Sequence, residues 1–387
     1  MNSGQHEQVE ARGDLAEIGW QFLRLGFIAF GGPAAHIALM EEEFVRRRAW
    51  LTRERFLDLV GAVSLLPGPS STELAIYLGQ IRGGLPGLIV AGAAFILPAV
   101  FLVVALAWAY LRFGAVPQVA GLLFGVKPVV VVLIAQAIWA LGKTALRTVS
   151  LALLAAAIVV LSIFDIPALV LLIGSGIVWM VAKEAASIRT KSVAMLPILA
   201  RTAGASVPAI PVGVAAIFLY FLKAGAVLFG SGYVLLALLR ADLVVRLHWL
   251  TEAQLLDAIA VSQATPGPFF TVATFIGYVL GGWRGATLAT IGMFLPAFVF
   301  VGATAEFLPR LRQSKAASAF LDGVNAAAVA LMAFVGWQFA RATLLNAPAL
   351  AMATIAAVLV FRYRVNSASM ILGAAFVGVL LGFLHWI

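Results

Sequence analysis

The sequence predicts an all-α, polytopic membrane helix bundle made of two inverted repeats, each with about five spanning helices and a re-entrant or broken helical hairpin. Composition, run length and an internal duplication carry that prediction. Hydrophobic residues make up 63% of the 387 and charged ones 11%, against about 25% charged in ordinary soluble domains. Several of the apolar runs at 85–111, 116–140, 148–164, 166–182, 285–308, 318–340, 347–361 and 368–387 reach the roughly 20 residues that cross a hydrocarbon core.

The duplication is read by offset. FLRLGFIAFGGP from Phe22 returns as FLKAGAVLFGSG from Phe221, 199 residues later. The same offset pairs Trp50-Leu51-Thr52 with Trp249-Leu250-Thr251, Asp58 with Asp257, and Pro67-Gly68-Pro69 with Pro266-Gly267-Pro268. One gap later, at offset 198, Gly79 pairs with Gly277, Gly83-Gly84 with Gly281-Gly282, Pro98 with Pro296 and Trp139 with Trp337. The chain divides into a polar tail (1–19), a first repeat (20–182), a basic linker (183–207) and a second repeat (208–387). Doubled membrane halves with interruptions at matching positions point to a secondary transporter whose site lies between the repeats.

Charge placement gives the orientation. The net charge is +9, but the basic residues are scattered through short loops, with no stripe or aromatic platform for nucleic acid. If the chain dips in and returns at Pro-Gly-Pro, 17 of the 26 Lys and Arg collect on one face. That face holds 41–55, Arg82, Lys143, Arg147, the linker, 310–315, Arg362 and Arg364. By the positive-inside rule it is cytoplasmic. Five crossings per half then invert the second half and put the linker inside and both termini outside. The tail lacks the basic n-region and cleavage site of a secretory signal, so no removable peptide is expected.

The interruptions carry the chemistry. Phe30-Gly31-Gly32-Pro33 matches Phe229-Gly230-Ser231-Gly232, and the two Pro-Gly-Pro motifs match each other. Proline removes backbone donors and breaks the helical ladder. Backbone unpaired at membrane depth persists only where protein or a watery cavity satisfies it. Ser70-Ser71-Thr72-Glu73 and Phe269-Phe270-Thr271 would open short helices after the breaks. A half-helix N-terminus offers amides and a positive dipole end to an anion, and two facing ones could hold a small dianion. The plainer reading is that Pro and Gly simply kink spanning helices; the repeat-matched positions weigh against it.

Ionisable residues inside apolar segments are costly unless paired or hydrated. Lys127 is the first candidate for direct anion contact, with snorkelling as its alternative. Arg24 and Lys223, repeat mates, either flank the anion path or anchor at the interface. Asp58 and Asp257 cap helices, pair with arginines or couple protons. Glu73 is a cap, a protonatable coupling group or an outward-facing residue, and Asp322 is similarly ambiguous. Gln263 has no amide mate in the first half, and Gly83/Gly87 with Gly281/Gly285 have the spacing of close helix packing. There are no cysteines; His6, His36, His248 and His385 lack metal-ligand spacing; no nucleophile, P-loop or dinucleotide motif occurs. An enzyme, a cofactor and a metal are not expected.

At these residues the chain resembles the chromate ion transporter family in its long two-domain form. The resemblance rests on Phe30–Pro33, Trp50–Asp58, Leu66–Leu74, Gly83-Gly84 and Phe95–Pro98, and on Trp249–Thr251, Ser262–Pro268, Gly277-Tyr278 and Phe294–Pro296. It covers roughly residues 20–387. It implies an inner-membrane exporter of chromate that confers chromate resistance, with sulfate as the look-alike anion. The rival readings are a sulfate or other oxyanion importer and a membrane scaffold without a transport cycle. The expected anion site comprises Gly31, Gly32, Pro67, Gly68, Pro69, Ser70, Ser71, Thr72, Lys127, Gly230, Gly232, Pro266, Gly267, Pro268, Thr271, Arg24 and Lys223. Glu73, Asp58, Asp257 and Asp322 are the candidate coupling groups. The expected partners are the oxyanion and the lipid bilayer.

Overall fold

A computed structural model describes residues 14–114, 116–164, 166–187, 213–228, 232, 234–304 and 314–383. The described residues are helical and form no strand. Asp14 and Thr52 accept first-turn amides and so start α1 (Leu15–Ile28) and α3 (Arg53–Val63). Between them lies α2 (Pro33–Met40), continued by a π-helical turn at Glu41–Arg47. Then come α4 (Ser70–Phe113), α5 (Pro117–Ala145), α6 (Val149–Ser162) and α7 (Ala168–Ser187). The second half repeats the order: α8 (Val214–Val227), α9 (Val234–Leu239) with a π-helical turn at Arg240–Arg246, and α10 (Glu252–Ala264), which a Thr251/Gln254 capping box opens. A 3₁₀ turn at Phe269–Thr271 leads to α11 (Val272–Thr304), followed by α12 (Lys315–Thr343), α13 (Ala347–Phe361) and α14 (Ser367–Phe383).

Two elements reverse inside what reads as continuous helix. Gly84 has φ 62° and ψ −151°, and Gly282 has φ 59° and ψ −147°. These values lie outside the helical region and are open to glycine without the steric cost a Cβ brings. Each folds its helix into a short arm and a long arm lying side by side. A Cβ on Gly79 would strike the Gly87 carbonyl and Ala91, and one on Gly277 would strike the Gly285 carbonyl and Ala289. Of the glycines predicted for close packing, Gly87 and Gly285 hold each arm against the other, whereas Gly83 and Gly281 face Ile18 and Ile217 of the first helices.

The halves are inverted. The long arms of α4 and α11 run antiparallel, since Gly92 meets Phe298 while Gly302 meets Leu88. Gly84 and Gly282 therefore mark opposite ends of the bundle. α5 and α12 also cross antiparallel, with Gly336 against Ile134 and Ile138 and Gly142 against Val329. Arg147 and Lys183 converge on Asp322 at 2.6 and 3.2 Å, at the Gly84 end. That end also carries Arg46, Arg47, Arg48, Arg53 and Arg82, so the described basic residues collect as the sequence predicts.

The all-helical bundle of inverted repeats holds, and one element in each half differs from the predicted count. The sequence predicts that the first segment crosses. Instead α1 stops after 14 residues, about 21 Å at 1.5 Å per residue. The chain turns at Ala29–Gly32, where Gly31 and Gly32 have φ of 99° and 82°. α2 then returns, bringing Arg48 within 2.9 Å of Glu17. α3 and the short arm of α4 form a second reversing pair with Pro-Gly-Pro at its tip, and Arg82 returns to stack on Trp50 at the basic end. The Leu15 end of α1 accordingly stands at the basic end, not the opposite one. Val214 lies beside Gly281 at the other end, so Ser187 and Val214 are on opposite sides. α7 absorbs residues 183–187 of the predicted linker, and 188–207 lie outside the described residues.

Candidate functional site: the paired Pro-Gly-Pro tips

Each tip crosses to the opposite half through a backbone hydrogen bond. The Gly68 N–H donates to the Leu228 carbonyl at 2.6 Å, and the Gly267 N–H donates to the Ala29 carbonyl at 2.8 Å. Each Pro-Gly-Pro glycine is thus anchored on the end of the opposite half's first helix. Two flanking prolines offer no amide, so this exchange takes up the motif's single N–H. At the start of α4, the amides of Thr72 and Glu73 fold back on the Pro69 carbonyl at 2.7 and 2.9 Å, and the Thr271 amide binds the Pro268 carbonyl at 3.1 Å. The motif glycines and these first-turn amides are therefore all engaged by backbone carbonyls.

The tips are alike in backbone and unlike in side chains. Around the first stand His36, Ser71, Thr72 and Glu73; the repeat mates are Leu235, Phe270, Thr271 and Val272. His36 Nε2 donates to the Ala29 carbonyl at 3.1 Å, and its Nδ1 lies 3.2 Å from the Ser71 hydroxyl. Since the carbonyl only accepts, the Nε2 proton is fixed, and a neutral ring takes its second bond from Ser71. Ala29 O thereby receives both His36 and Gly267, tying the first tip's polar cluster to the second tip's backbone. Glu73 is 0% exposed, lies against Gly68, and neither carboxyl oxygen has a hydrogen-bond partner. The Thr72 hydroxyl is likewise buried and unpartnered, whereas Thr271 Oγ1 donates to the Pro268 carbonyl at 2.9 Å. Residues Thr265–Thr271 of the second tip are buried, Gly232 packs on Phe270, and the first tip has Ser64 exposed with Pro67 and Ser70 half-buried.

The remaining expected site residues lie elsewhere. Lys127 on α5 pairs with Asp257 on α10 at 3.1 Å, and the Tyr110 hydroxyl on α4 donates to the same carboxylate at 3.1 Å. This cluster bridges the halves near the end opposite the basic face, beside a cavity of about 320 Å³ lined in part by Lys127, Leu256, Thr343 and Asn346. Arg24 is exposed and lies 3.9 Å from Glu43, and Lys223 is exposed on α8. Asp58 sits on the exposed side of α3, and Asp322 is held by Arg147 and Lys183. Gly31 and Gly32 form the turn between α1 and α2. Gly230 lies outside the described residues. Among the described residues no group of three His, Asp or Glu side chains is placed to hold a metal.

Sequence reasoning passed over His36 because it has no metal-ligand partner. The available signal was the repeat itself, which sets a histidine against Leu235 just inside the second helix of each half.

Comparison with known proteins fits this architecture. The chromate transporter family model matches twice, over residues 16–180 and 215–379, one match per half. The chromate transport protein of Cupriavidus metallidurans is 32% identical, with 98% of each chain covered. That of Pseudomonas aeruginosa is 34% identical over 92% of this chain and 90% of its own, and a probable chromate transport protein of Synechococcus elongatus is 30% identical over 88% of both. No solved structure matches. With both halves matched and the two sets of broken helices meeting between them, the chain belongs to the chromate transporter family.

Proposed function

We propose that this multi-pass membrane protein exports chromate from the cytoplasm across the inner membrane by alternating access and so confers chromate resistance. The observation that carries the reading is the reciprocal pair of backbone bonds by which each Pro-Gly-Pro glycine holds the end of the other half's first helix. Such a centre lets each half rock against the other while the site stays between them. The anion binds at the first tip, where the N-terminus of α4 and the hydroxyls of Ser70, Ser71 and Thr72 gather. Its mate offers Phe269 and Phe270 instead. Lys127 works as a strut to Asp257 and keeps a positive charge on the outward route. Arg24 and Lys223 serve as interfacial anchors.

Direction follows from charge. With the basic end in the cytoplasm, an inside-negative potential opposes inward movement of an anion by about 2.3 kcal/mol per charge per 100 mV. Export is therefore favoured electrically. Labelled chromate given to everted and right-side-out vesicles tests the reading. Uptake by everted vesicles alone is expected, reduced by excess unlabelled chromate, with sulfate measured as the competing oxyanion. Loading of right-side-out vesicles instead would show an importer, and loading of neither would end the transport reading.

A further inference from the structure

The inverted repeat should produce two equivalent binding ends, yet the first tip buries a carboxyl that the second lacks. Glu73 is fully buried, has no hydrogen-bond donor on either oxygen, and lies against the Gly68 turn where the anion is placed. Its repeat mate is Val272. An ionised carboxylate in such a place lacks every compensation that buried charges ordinarily need, and a bound dianion beside it would add like-charge repulsion. From this geometry we infer that Glu73 is the proton site of the transporter and carries a proton while chromate occupies the first tip, so that one proton leaves the cytoplasm with each chromate. Protonation and anion binding assist each other, because each lowers the cost of the other, and that linkage is reciprocal. The species moved has one net negative charge instead of two. This inference rests on the transport reading above and deepens it.

The surrounding charges are compatible with that role. On α2, His36 is engaged by Ala29 and Ser71. Arg24 on α1 is exposed beside Glu43. On α3, Arg55 and Asp58 lie on its exposed side. Tyr77 is the next titratable group along the short arm of α4 itself. The long arm of α11 carries no titratable side chain after Arg284. On α10, Asp257 reaches α4 through Tyr110, far along the long arm. Among the described residues no cation pairs with Glu73, so the group that neutralises it is its own proton.

Purified protein in proteoliposomes, with a pH dye in the lumen and chromate supplied in alkaline buffer where it is the dianion, tests the inference. Wild-type uptake is expected to acidify the lumen by about one proton per chromate. Glu73→Gln, which keeps the shape of the protonated acid, is expected to take up chromate without acidification. In strongly buffered vesicles an imposed 100 mV potential should change the equilibrium ratio about 50-fold for the wild type and about 2,400-fold for the variant, as one and two net charges require. Chromate uptake by the wild type with no pH change or with alkalinisation overturns the inference and leaves transport standing. Equal acidification by the variant also overturns it. Should Glu73→Gln transport nothing, chromate-induced thermal shifts decide. Wild-type affinity that weakens as pH rises while the variant's stays flat supports the inference, and parallel pH dependence overturns it. Wild-type vesicles that move no chromate overturn the transport reading and the proton site with it.

Discussion

His36 holds together two things that the chain brings from different halves. Through Ala29 O it shares an acceptor with Gly267 of the second tip, and through Nδ1 it sets the Ser71 hydroxyl. While the ring is neutral, the Ser71 hydrogen points at His36. The hydroxyl can donate to an anion only if it lets go of the ring or the ring gains a proton. Replacing His36 with leucine, the residue its mate Leu235 already is, removes both bonds and leaves Ser71 buried without its partner. A loss of about 1–3 kcal/mol is expected, read as a lower Tm of the detergent-purified protein. An unchanged Tm would mean these contacts contribute nothing. The sequence shows the histidine and its apolar mate, but not the one acceptor and one donor around it, which come from residues 7 and 35 positions away.

At the scale of elements, the folded-back arms of α4 and α11 separate two glycine roles that look identical in sequence. Gly79 sits where a Cβ would meet backbone of the opposing arm, whereas a Cβ on Gly84 would meet open space and only the backbone conformation is strained. Gly84→Ala should therefore cost about 1–3 kcal/mol from strain alone. Gly79→Ala has to push the arms apart and should cost more. Monodisperse yield and Tm are expected to fall further for Gly79→Ala, and the reverse order would contradict the packing described. The Gly83/Gly87 spacing is legible as a packing signal; the reversal of the chain at Gly84 is not. Hydrophobicity records that a segment is apolar, while two positive-φ glycines decide whether it continues or returns. The same limit applies to α1, whose apolar run reads as a crossing until Glu17 and Arg48 are seen together.

For the whole molecule, inversion makes repeat mates face opposite sides. Ala49 and His248 are such a pair, both exposed and both at positive φ. The chain has no native cysteine, so single Ala49→Cys and His248→Cys variants give a clean readout. A membrane-impermeant maleimide should label His248→Cys in right-side-out vesicles and Ala49→Cys only in everted ones. Labelling of both from one side would remove the inverted arrangement. The halves are further tied by Lys127 and Asp257, the latter 3% exposed. Breaking a buried ion pair from one side costs about 3–5 kcal/mol, and removing both partners costs less. Lys127→Ala and Asp257→Ala should each lower Tm more than the double variant does. An additive double variant would show that the pair carries no coupling between halves.

Composition, the near-200-residue offset and the distribution of lysine and arginine were enough, by themselves, to establish a membrane-embedded, duplicated helical chain and to locate its Pro-Gly-Pro breaks. These properties are summed over many residues or repeated, so they survive without coordinates. Tertiary structure alone decided that the first segment of each half turns back, that each Pro-Gly-Pro glycine is claimed by the other half's backbone, and that Lys127 finds its partner in α10. Those outcomes depend on which groups meet across the pseudo-twofold axis. A side chain's partner from a distant half leaves no trace in local spacing, and only the unequal polarity of repeat mates hints at where the symmetry is broken.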